Sequence, residues 1–143
     1  METNIRIIIN VLYAIRSSGD KATKRNIILA NASDETIMSV IRYELGTPQL
    51  GFPEKDVLKP AFYIAEPPHI YSWLELMEYI TTHSDVDDKR ATVRKFIRLK
   101  PKGERQMWAD ILSKAITLGD RKYLRAELRK LEYQKPKNIS ERY

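Results

Sequence analysis

The sequence contains no cysteine. That excludes a disulfide framework and a thiolate metal centre, and it suits a reducing compartment. Glycine is scarce, five in 143 residues, and the seven prolines mostly fall between periodic segments. The only histidines, His69 and His83, have no partner motif beside them. The cluster Asp85, Asp87, Asp88 lacks the length and closing glutamate of a calcium loop and reads as a helix-capping cluster. Ser17-Ser-Gly-Asp-Lys21 and Lys100-Pro-Lys-Gly103 look faintly like phosphate loops without P-loop glycine spacing, and a Lys-x-Asp-Gly adenylation signature is absent. No apolar run approaches the length that spans a bilayer. The opening METNIRIIINVLYAIRSSG lacks a basic leader and a small-residue cleavage signature, so no signal peptide is expected. These absences lead to the expectation of a cytoplasmic, non-catalytic chain with no metal, cofactor or small-molecule substrate.

What is present is positive charge. The stretch Lys89–Lys130 holds fourteen Lys and Arg against four acids (Glu104, Asp110, Asp120, Glu127), a local charge of +10 in a protein of +6. A basic surface of this kind is the footprint of a polyanion binder. With 43% apolar residues and 143 in all, one domain with one core is expected over residues 1–132, followed by a polar tail at 133–143.

The spacing predicts helices almost throughout. Ile5, Ile8, Ile9, Leu12 and Ile15 recur at three- and four-residue intervals from a cap at Thr3 or Asn4. Gly19 is expected to close that helix in a left-handed conformation, with Asp20 capping the next over Lys21–Asn31, where Ile27, Ile28 and Leu29 point inward. Ser33 or Asp34 caps a third with Ile37, Val40, Ile41 and Leu45 inward, closed by Gly46. Residues 47–70 carry five prolines and read as an extended connector pinned by residues such as Phe52, Val57 and Phe62. Four more helices follow: Tyr71–Ser84 with Trp73, Leu74, Met77 and Ile80 inward; Lys89–Leu99 with Val93, Phe96 and Ile97; Glu104–Leu118 with Trp108, Ile111, Leu112 and Ile116; and Arg121–Glu132 with Leu124, Leu128 and Leu131. The expected class is all-α, an orthogonal bundle of about seven helices.

Within that scaffold the basic residues form rows. Arg90, Arg94 and Arg98 fall at i, i+4 and i+8 opposite Val93 and Phe96, and Lys122, Arg125 and Arg129 do likewise further on. Each long cation in such a row is able to neutralise a phosphate. Ordinary solvated charge is the competing reading, weakened by the paucity of interspersed acids. Two turns repeat a helix-Gly-Asp-basic pattern, at Gly19-Asp20 and Gly119-Asp120. Free backbone N–H groups at such helix starts accept phosphate, helped by Lys21, Lys24 and Arg25 or by Arg121 and Lys122; helix capping by the Asp competes for the same donors. Asn and Gln are too few on the basic helices for base reading, so backbone contacts are expected. Trp73 and Trp108 belong to the core.

Three stretches carry a resemblance: INVLYAIRSSGDKATKRNIIL; LANASDETIMSVIRYELG with the later YSWLELMEYI; and MWADILSKAITLGDRKYLRAEL. In their order the chain resembles the N-terminal DNA-binding domain of ATP-dependent DNA ligases, of the T-even-like bacteriophage type, over roughly residues 5 to 131. It departs from that family at Ala115, where an Asp is usual, and in lacking the adenylation and oligonucleotide-binding domains. The resemblance implies sequence-independent binding of nicked duplex DNA through sugar-phosphate contacts at Gly19, Lys21, Lys24, Gly119, Arg121 and Lys122. The basic rows and their neighbours add Arg25, Arg94, Arg98, Lys102, Lys114 and Arg125. The alternative is a stand-alone interaction protein whose basic face docks an acidic protein partner.

Overall fold

A computed structural model describes residues 2–46 and 66–141, with side chains described to residue 132. Seven α-helices lie in the described residues: α1 Ile5–Ser17, α2 Lys21–Ala30, α3 Glu35–Glu44, α4 Trp73–Thr82, α5 Val86–Arg98, α6 Arg105–Leu112 and α7 Arg121–Glu141, with a 3₁₀ turn Lys102–Glu104 before α6 and no strand among them. The all-α class is as expected. Most of the connector read at 47–70, with its pinning residues, lies outside the described residues. Of its end, Pro67 and Ile70 are buried.

The helix starts follow their capping residues. Asn4, Asp20, Asp34, Ser72 and Asp85 each accept a backbone N–H of the first turn that follows, which satisfies a donor the helix leaves open. Asp87 and Asp88 stand in the first turn of α5, where carboxylates meet the positive end of the helix dipole.

One core cluster runs through the bundle. Ile5, Ile8, Leu12 and Ile15 line the buried side of α1 as their spacing demands. At the centre, Trp73 and Trp108 lie near-parallel with ring centroids 6.1 Å apart, Tyr43 meets Trp73 edge-on at 5.3 Å, and Phe96 meets Trp108 edge-on at 5.4 Å. These four rings join α3, α4, α5 and α6. The Trp73 indole N–H donates to Ser39 Oγ at 2.9 Å, so the large ring is buried without an unmet donor.

Several expectations are corrected. Leu74 is exposed and Leu76 takes its inward place on α4. Leu29 is exposed on α2, and Lys24, one turn before Ile28 on the same stripe, is buried instead. The sixth helix stops at Leu112 rather than Leu118 because Lys114 turns left-handed (φ +59°). The Lys114 N–H then reaches Ile111 O and the Ala115 N–H reaches Asp110 O, a Schellman closure without the usual glycine. Ile116 and Leu118 are buried on an irregular stretch. At the far end α7 continues to Glu141, through the residues read as a tail.

Candidate nucleic-acid interface

The two Gly-Asp turns look alike in sequence and differ in backbone. Gly119 and Asp120 are both left-handed (φ +76° and +47°). Gly19 is not left-handed, and Ser18 rather than Gly19 ends α1. Even so, the fold brings the two turns together. Lys24, 5% exposed, sends its ammonium to the carbonyls of Ile15 (3.0 Å) and Arg16 (3.3 Å) at the end of α1, and to that of Leu118 (2.6 Å) just before Gly119. Further out, Lys21 Nζ lies 5.1 Å from the centre of the Tyr123 ring. Lys24 is therefore no phosphate contact, contrary to the sequence reading: its ammonium is inside, occupied by three carbonyls.

The same use of charge recurs at other helix ends. Arg121 Nη1 donates to Glu44 O at 3.2 Å and Arg125 Nε to Leu45 O, closing α3. Arg105 donates to Lys100 O at 3.1 Å and Arg98 O at 3.0 Å, closing α5. A helix C-terminus presents unpaired carbonyls and a partial negative charge, so a cation from a neighbouring element satisfies both. Lys100 donates to Tyr71 O at 2.6 Å and sits over the Phe96 and Trp108 rings.

The result is a ladder on both flanks of α7. Toward α2, Arg25 pairs with Glu127 at 3.2 Å. Toward α3, Arg121 and Arg125 hold the helix end and Arg42 pairs with Glu132 at 2.7 Å. Beneath, Leu124 and Leu128 are buried. Glu44 is enclosed here at 3% side-chain exposure, with Arg121 Nη1 3.5 Å from Oε1 and no partner for Oε2 among the described residues. Burial pushes its carboxyl above the usual range, against the pull of Arg121 and Lys114, a backbone hydrogen bond from Leu118 and the more weakly acting Arg125. Lys114 lies 4.8 Å from the centre of the Tyr43 ring, and burial, with Arg121 adding repulsion, holds its ammonium below the ordinary value.

The remaining predicted contacts divide. Lys21, Lys122 and the backbone of Gly19 and Gly119 are exposed around the joined turns. Arg16, which sequence reading passed over, is exposed there too, at the end of α1 whose carbonyl Lys24 holds. The signal for it was its place directly before the first turn. Arg98 and Lys102 are exposed at another corner, around the end of α5. Arg94 is half-buried and already engaged.

No group of three His, Asp or Glu side chains is placed to hold a metal among the described residues, and no helix there is long and apolar enough to cross a membrane. Comparison with protein-family models, curated proteins and solved structures finds no match to this chain.

Proposed function

We propose that this chain binds duplex DNA, nicked duplex included, through its phosphate backbone and without reading sequence. The observation that supports this is the joining of the two basic turns, which sets Arg16, Lys21 and Lys122 outward around one edge. The α2 start lies at the first of these turns, where a helix N-terminus favours an anion, although Asp20 already takes the Ala22 N–H. Its resemblance to the DNA-binding domain of phage-type DNA ligases points the same way, with the role of a non-catalytic domain acting in the cytoplasm.

The test is fluorescence anisotropy of a labelled nicked duplex at several salt concentrations, beside an acidic peptide of equal charge. Binding that weakens along a straight log–log line in salt is expected, and it should be lost on reversing charge at Lys21 and Lys122 together. Absence of binding at low salt, or a double variant that binds like the parent, refutes the reading. Capture of the acidic peptide without DNA would instead favour a docking surface for an acidic protein.

A further inference from the structure

We propose that Lys24 is the positioning residue of this interface, holding the two basic turns at one fixed separation and so favouring the regular phosphate spacing of a duplex over a flexible single strand. The specificity part rests on the DNA-binding reading above; the coupling of the turns does not.

The ammonium of Lys24 has three N–H donors and meets three carbonyl oxygens, two at the end of α1 and one 94 residues away at Leu118. No acid pairs with it among the described residues, so its charge is directed entirely at backbone. Arg16 O lies before the first turn and Leu118 O directly precedes Gly119, so one side chain ties the entry of each turn to the other. The chain at Gly119 comes so close that a Cβ there would stand 3.3 Å from Nζ, at a φ of +76° that L side chains rarely adopt. The approach of the second turn to the ammonium is thus built around glycine. Arg16 and Lys21 flank one turn and Lys122 the other, so Lys24 ties together the backbone segments that carry them.

Lys24→Met keeps the stem and removes the donors. Amide hydrogen exchange followed by NMR on the full chain is expected to accelerate at residues 18–21 and 119–122 together, by about tenfold or more, relative to the core amides of Val93 and Phe96. Acceleration at one turn alone, or at neither, overturns the coupling. Gly119→Ala, which retains the ammonium and crowds it, is the second variant should Lys24→Met not fold; it should also loosen residues 18–21, and failure to do so refutes the staple. In binding, Lys122→Gln removes one contact and should lower the log–log salt slope by about 0.9 with the preference for duplex over single strand kept. Lys24→Met, though it touches no phosphate, should reduce that preference by about fivefold or more, and an unchanged preference overturns the specificity claim. If the parent chain binds no DNA, the proposed function fails, while the exchange data still decide whether Lys24 couples the turns.

Discussion

Replacing Glu44 by Gln tests how the α7 ladder is balanced. Glu44 is enclosed, and the cation paired with it among the described residues, Arg121 at 3.5 Å, is itself 41% exposed. At an effective dielectric of about 20, a pair at that distance attracts by about 5 kcal/mol, and solvent around the arginine reduces it further. Against this stands a desolvation cost of several kcal/mol for the carboxylate. Burial wins, so the folded protein holds the Glu44 proton more tightly than the unfolded chain, whose carboxyl has the ordinary value of 4.5. The contribution of Glu44 to stability is then fully present below that value and is lost as pH rises through the raised folded value. Urea unfolding of the parent and of Glu44→Gln should be measured from pH 4 to 8. The parent should lose stability relative to the variant as pH rises above about 4.5, with a slope no steeper than about 1.4 kcal/mol per pH unit, the limit for one proton. A flat difference would mean that the surrounding cations and the Leu118 N–H balance burial, and one of opposite sign that they outweigh it; either refutes the reasoning.

Gly46→Ala should cost about 1–3 kcal/mol in urea unfolding, since φ is +132° and the added Cβ would stand 2.5 Å from an Arg125 nitrogen. Tyr43→Phe removes the buried O–H donor to Leu112 O, which closes α6 against α3, and should cost about 1–3 kcal/mol in the same assay. Asp34 caps α3 at Ile37 N and accepts from Thr3 Oγ1 at 2.6 Å. Desolvation acts to raise its carboxyl, but these hydrogen bonds and one from Thr36 outweigh it, and the net shift is downward. Its stabilisation is present above the ordinary value of 3.8 and lost as pH falls through the lowered one, so Asp34→Ala should cost about 1 kcal/mol at pH 7 and progressively less in acid.

Apolar spacing and caps made most helices legible, because burial at i, i+3 and i+4 and an oxygen at the N-cap are local requirements. The errors come from requirements that are not local. Lys24 shares a stripe with Ile28, and periodicity alone cannot tell that the carbonyls awaiting a cation are supplied by α1 and by Leu118. The end of α6 was hidden because closure uses Lys114 in a left-handed conformation, which costs about 1–2 kcal/mol in a non-glycine residue and is tolerated where the ammonium then packs over Tyr43. The exchange of Leu74 for Leu76 is different: Trp73, Leu76, Met77 and Ile80 stand at i, i+3, i+4 and i+7, so the local period itself selects Leu76, contrary to the expectation of Leu74.

The positive charge was legible in the sequence, but not which cations the fold already engages. Of the residues expected to reach phosphates, Lys24, Arg121 and Arg125 are bonded to backbone carbonyls, and Arg25 to Glu127. Bonding to a neutral carbonyl leaves the formal charge in place, so the field that steers a polyanion persists at a distance while fewer side chains are left to touch it. Attraction and contact therefore have different magnitudes here. If only Arg16, Lys21 and Lys122 displace counterions, the log–log salt slope should lie near −2.7, about 0.9 for each of three phosphates. If the whole +10 of Lys89–Lys130 engaged, it would approach about −9. Anisotropy titrations between 50 and 200 mM salt, on the order of the range where such slopes are measured, separate the two. A slope near the larger value would mean that the capping cations leave the helix ends for DNA, and the bonds of Arg121 and Arg125 to Glu44 O and Leu45 O would have to open on binding.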